Sequence, residues 1–359
     1  MRPSILICLI CLLLIGCKTN KTNSATASSI KKPKNIILLI ADGTGLSQIS
    51  ASLFFNDKPS NYEEFPVIGL IKTSASDKLI TDSAAGATAF ASGIKTYNGA
   101  VGVGPDTMFV PTIVEQISKN GMSTGVVSTS SVTHATPAAF YAHVEARGSY
   151  EKIAEYLVNS PIDFFAGGGL EYFNKREDKQ NLVSLLKSKG FAIDTTALKT
   201  LKSDKQGFLL AEDAMPKMLE GRGDFLPNAT QLAVDHLSQN KDGFFLMVEG
   251  SQVDWGGHDN DGDYLISELI DFDNTLGTAL KFAEANGETL IIVTADHETG
   301  GFTLSADNGN YNKIKATFST TGHSATMVPV FAKGPGAELF SGIYENTEIY
   351  HKMMQLLSK

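Results

Sequence analysis

An α/β fold around a large, mostly parallel sheet is the architecture this sequence predicts. Three observations carry that reading. Four short apolar runs are continuous rather than alternating, as in strands buried on both faces. Stretches with apolar residues at helical spacing lie between them. Each apolar run stops at a cluster of polar residues, and beyond the carboxyl ends of parallel strands is where ligands collect.

In chain order, the first run is Asn35 to Ala41, ending at Asp42-Gly43. Ile80-Thr81-Asp82-Ser83 then turns into a run of very small residues through Thr88. This reads as a helix start with Asp82 or Ser83 as cap. An exposed serine there meets unpaired N–H groups that favour an anion, and small residues behind it let backbone or a metal cluster approach. Pro111 to Asn120 has helical spacing and precedes the second strand, Ser123 to Ser128, which runs into polar residues up to His134. Tyr150 to Val158 reads as a helix. Residues from about 174 to 224 are more charged and less regular, a peripheral insertion without a core of its own. The third strand, Phe244 to Val248, leads into Glu249 to His258. Asp263 to Glu284 is helical, with Gly287 just beyond its end. The fourth strand, Thr289 to Thr294, stops short of Asp296-His297.

Met1 to Cys17 reads as an export signal: Arg2 supplies charge, and Ile5 to Ile15 is too short an apolar run for a comfortable bilayer span. Leu14-Ile15-Gly16-Cys17 resembles a bacterial lipobox, which implies cleavage after residue 16 and a lipid on Cys17. Residues 17–34, rich in Ser, Thr, Asn and Lys, read as a flexible tether. Residues 35–359 are expected to form one domain, exported and lipid-anchored to a bacterial membrane, facing the periplasm or the exterior. Cys8, Cys11 and Cys17 are the chain's three cysteines, so the domain holds no thiolate zinc site and any metal must use His, Asp, Glu and hydroxyl ligands. A net charge of −9 without basic blocks argues against nucleic-acid binding.

Asp42, Glu249, Asp254, His258, Asp296, His297 and His323 cluster at strand ends or in neighbouring loops. Each alone is an ordinary turn or surface residue. Together they supply carboxylates and imidazoles, and joint burial of the acids carries a large desolvation cost unless a cation is present. Oxygen and imidazole ligands suit zinc and magnesium.

Seven ordered stretches resemble bacterial alkaline phosphatases: Leu39–Gly45, Thr81–Ala89 with Gly93–Gly99, His134–Ala139 with Ala142–Arg147, Ala166–Gly169, Val248–His258, Thr294–Gly300 and Gly322–Ser324. They run from about residue 36 to 334. The resemblance implies a three-layer α/β/α sandwich, two Zn2+ and one Mg2+, and hydrolysis of phosphate monoesters through a phosphoserine. Position by position, it implies Ser83 as nucleophile and Arg147 as the phosphate grip. It implies Asp254, His258 and His323 as ligands of the first zinc. Asp296, His297 and the Ser83 oxygen would hold the second, with Asp42 bridging it to the magnesium, and Thr136 and Glu249 would complete the magnesium site. The resemblance also implies a homodimer, which composition does not show. Some members carry aspartate and lysine where this chain has His134 and Trp255. His134 then has three roles open: contacting phosphate through water, ligating another divalent metal at the third site, or hydrogen-bonding a neighbour. Trp255 shapes the pocket wall or covers the metals. A phosphodiesterase or sulfatase, and an inert metal-binding lipoprotein, are the competing readings.

Overall fold

The computed structural model describes residues 31–358. The expected signal, the expected lipid on Cys17 and the expected tether as far as residue 30 lie outside the described residues.

Eight strands in chain order are β1 (Asn35–Ala41), β2 (Val67–Lys72), β3 (Ser123–Ser131), β4 (Phe164–Gly168), β5 (Phe191–Asp194), β6 (Lys205–Leu209), β7 (Phe244–Gly250) and β8 (Thr289–Thr294). With Val328–Lys333 and Gly342–Glu345 they form one ten-stranded sheet. Its order is Gly342–Glu345, β2, Val328–Lys333, β8, β1, β7, β3, β4, β6, β5. Every strand except Val328–Lys333 runs in one direction.

The continuous apolar character of β1 follows from its place at the centre of this sheet. Ile36, Leu38 and Ile40 enter the core on one face, and Ile37, Leu39 and Ala41 that on the other. Alternate residues point to opposite faces of a strand, so a strand covered on both sides has no position for a polar residue. The first face is covered by helices Ser83–Ser92, Ile113–Ser118, Tyr150–Asn159 and Glu348–Leu357. Helices Phe225–Leu237 and Gly262–Asn286 cover the second. The result is the expected α/β/α sandwich. Residues 174–224 supply the edge strand β5, its neighbour β6 and the helix Leu182–Ser188, and Leu182, Leu186, Phe191 and Leu209 join the main core.

Register levels the carboxyl ends of the central strands. Ile40 pairs with Glu249 of β7 on one side and Thr294 of β8 on the other, and Ser128 of β3 also pairs with Glu249. Asp42, Glu249 and Asp296 therefore leave the sheet at nearly one height. At the opposite end the backbone of Lys34 and Asn35 bonds the Glu288 carbonyl, and Lys32 Nζ reaches the Ser358 carbonyl. Both ends of the described chain thus meet where the central strands begin.

Candidate active site

The turn after β1 is set by Gly43, whose φ of +72° is open to glycine and strained for other residues. A Cβ there would lie 2.7 Å from Asp254 Cα, so the missing side chain brings Asp42 against the helix Gln252–His258. The helix Ser83–Ser92 is buried along its whole length. Asp82 is its cap, accepting the Ala85 N–H at 3.0 Å, which leaves Ser83 free as the first helical residue. Gly86 lets this helix lie on Asp296: a Cβ would sit 3.0 Å from Asp296 Cβ. Ser83 Oγ then stands 3.3 Å from His297 Nε2.

Two groups of ligand atoms surround that serine. In the first, His258 Nε2 and His323 Nε2 approach to 3.0 Å, at 3.4 and 3.6 Å from Asp254 Oδ1. His258 Nδ1 faces the Thr321 carbonyl at 2.6 Å and His323 Nδ1 that of Thr81 at 2.9 Å. Carbonyls only accept, so the protons belong on the Nδ1 atoms and both Nε2 lone pairs face inward. In the second group, His297 Nε2 lies 3.5 Å from Asp42 Oδ1 and 3.4 Å from Asp296 Oδ2, all three fully buried. Asp254 stands between the groups, since its carboxylate also falls within 4.8 Å of the ligand atoms of Asp42 and His297. The rings of His297 and His323 stack at 3.6 Å.

Glu249 and Thr136 stand beside the second group. The Ser128 and Ser130 hydroxyls donate to Glu249 Oε2. Glu249 Oε1, Thr136 Oγ1, both Asp42 oxygens and Asp296 Oδ2 are buried without a hydrogen-bond partner. Orphaned buried oxygens are rare and expensive, and a set of them in one place needs positive charge. The pKa shifts point the same way. Burial, reinforced by Asp296, Asp254 and Glu249, pushes the Asp42 carboxyl well above its usual range. Burial lifts Glu249 to about 7 and also raises Asp296. His297 is driven well below an ordinary imidazole by burial and then by His323, so its ring is neutral and its lone pair available. This donor set of carboxylates, imidazoles and hydroxyls fits divalent zinc and magnesium.

Arg147 donates from Nη1 to Asp82 Oδ2 at 3.0 Å, which brings the guanidinium beside Ser83. His134 is buried, with Nδ1 lacking a partner, and burial with the nearby Arg147 charge lowers its pKa to about 3. Trp255 packs edge-on to His134 at 5.8 Å, and Tyr150 stacks on it at 6.5 Å. The structure brings all twelve sequence-identified residues to the carboxyl end of the sheet.

Sequence reasoning missed four contributors. Asp82 was read only as a cap, yet its second oxygen also accepts the Gly99 N–H at 3.0 Å and aims Arg147. Thr299 donates its hydroxyl to Asp254 and lies 3.2 Å from His297 Nδ1, tying the two groups together. Ser128 and Ser130 orient Glu249. The signal for Asp82 was its adjacency to Ser83; Thr299 and the serines gave none.

A family model described as alkaline phosphatase matches residues 33–319 and 305–359. The chain is 34% identical to alkaline phosphatase 4 of Bacillus subtilis, over 95% of this chain and 93% of that one. It is 56% identical to the alkaline phosphatase of the Antarctic bacterium TAB5, with a TM-score of 0.90, covering 91% of this chain and 98% of that one. A histidine-to-aspartate variant of the TAB5 enzyme, solved with Mg bound in its M3 site, matches with the same identity and TM-score over 91% and 99% of the two chains.

Proposed function

The chain belongs to the alkaline phosphatase family and is a phosphomonoesterase, and from that premise we propose that it works through a phosphoserine on Ser83 at a site for two zinc ions and one magnesium. The observation that carries this reading is the set of buried, unpartnered oxygens of Asp42, Asp296, Glu249 and Thr136 gathered beside Ser83.

Asp254, His258 and His323 would hold the first zinc. Asp42, Asp296, His297 and the Ser83 oxygen would hold the second, and Asp42, Thr136 and Glu249 the magnesium. Bound there, the cations supply positive charge that favours the deprotonated serine and an activated water. The chain's own groups do the rest. Ser83 Oγ attacks the phosphorus from the first turn of its helix, the ester P–O bond breaks so that its oxygen leaves with the alcohol, and water then splits the Ser83 phosphoester to release phosphate. Asp82 occupies one Nη1 hydrogen of Arg147 and leaves the other donors of the fork for phosphate oxygens. His297, held neutral by burial, keeps its lone pair toward Ser83. The buried, unpartnered Nδ1 of His134 supports a cation or water contact over a hydrogen bond to a neighbour.

Ser83→Ala tests the reading on p-nitrophenyl phosphate. Turnover is expected to fall by about a thousandfold or more, and the phosphopeptide trapped from the wild type by acid quench should vanish. Near wild-type turnover refutes the assignment. The proposal extends to export with a lipid on Cys17, supported by Leu14-Ile15-Gly16-Cys17 and checked by mass spectrometry of the N-terminal peptide. It extends also to a homodimer, supported by the family resemblance.

A further inference from the structure

We propose that Leu79 and Ile80 form an apolar shelf for the leaving group, so that this phosphomonoesterase prefers aryl and alkyl monoesters to those of polyols. The inference rests on the placement of the reaction centre given above.

A cleft of about 660 Å3 opens beside the first ligand group. His258 and His323 line it together with Leu79, Ile80 and Asn98, and Lys78 and Asp82 are also among its lining residues. Leu79 is 85% exposed and Ile80 41%. Two exposed branched side chains would mean little on a loose loop, but this segment is pinned at three consecutive residues. Asn98 Nδ2 donates to the Ile80 carbonyl at 3.0 Å, and Asn98 Oδ1 accepts the Asp82 N–H at 2.9 Å. The Thr81 carbonyl between them is bonded to His323 Nδ1. The same stretch continues into Ser83. The shelf is therefore fixed to the nucleophile on one side and to the first ligand group on the other.

An ester oxygen leaving from phosphorus opposite Ser83 carries its substituent past His258 and His323. Most of the surface the substituent then meets is apolar, supplied by Leu79 and Ile80. A preformed apolar surface discriminates by the area it removes from water, and half-covering one leucine is worth about fivefold in kcat/KM. A polyol gains little from that apolar area.

The test compares kcat/KM for octyl phosphate and glycerol phosphate in the wild-type enzyme, Leu79→Asn and Leu79→Met, with Ser83→Ala in parallel. The expected result is an octyl-to-glycerol ratio that falls about fivefold in Leu79→Asn and survives in Leu79→Met. Glycerol phosphate turnover and kcat should be unchanged. An unmoved ratio alongside an inactive Ser83→Ala overturns the shelf alone. So does an equal loss on both substrates with a changed elution volume, which would place Leu79 against a second copy of the chain. Turnover surviving in Ser83→Ala overturns the reaction centre from which the shelf is argued.

Discussion

Replacing Arg222 by methionine isolates a buried charge cluster away from the active site. Its side chain is completely buried and donates to Glu268 and, at 2.8 Å, to Asp271, each almost fully buried. Burial raises both carboxyls, Asp271 to about 6, and the guanidinium opposes that rise. Methionine fills much of the volume but leaves two buried acids unpaired, a change that costs about 3–5 kcal/mol. At roughly 2 cal/mol/K of unfolding entropy per residue, that lowers Tm by about 4–7 °C in a chain of this size. The loss has a pH signature. Without the guanidinium both carboxyls rise further above their unfolded values. A group with a raised folded pKa contributes stability that is present below the unfolded pKa and disappears as pH rises through the folded one. The deficit should therefore be smaller near about pH 6 than near about pH 8. Adding Glu268→Gln removes one unpaired charge while keeping an acceptor for the Met218 N–H, and should restore part of the loss. Differential scanning calorimetry of the metal-loaded proteins reads all three. A Tm within a degree or so of wild type, or a deficit indifferent to pH and to Glu268→Gln, refutes the reasoning.

Chelation with EDTA should abolish turnover and also lower Tm, because Asp42, Asp296 and Glu249 are then buried without counter-charge, and zinc with magnesium should restore both. Loss of activity without any Tm change would contradict the buried-acid argument. Gly86→Ala should cost about 1–3 kcal/mol despite the better helix propensity of alanine, and should lower kcat/KM about tenfold or more, since the new Cβ presses on Asp296. Wild-type kinetics in that variant would show that Asp296 tolerates displacement.

The central strands were legible because burial on both faces writes them as unbroken apolar runs, as in Ile36 to Ala41. Val328–Lys333 is equally buried but carries Pro329, which reads as a strand breaker. β4 ends in glycines and β5 has only four residues, so neither shows a period. Gly342–Glu345 lies at the sheet edge, half in solvent, and left no pattern. The candidate ligands were legible because acids and histidines stood at strand ends, where the sheet's polarity gathers them. The Asp82–Arg147 pair spans 65 residues, and Thr299 acts through contacts with Asp254 and His297. Such links are made by the packing of separate elements, and no local sequence pattern reports them.

The meeting of both ends of the described chain at the start of the central strands bears on how this enzyme can be mounted. β1 alone, at about 3.3 Å per residue, puts roughly 23 Å between that end and Asp42. Anything joined there, whether a linker, a surface or a fusion partner, holds the molecule by its base. The mouth of the cleft then lies at the far end of the sheet, and attachment at residue 31 or 358 leaves it open to incoming esters.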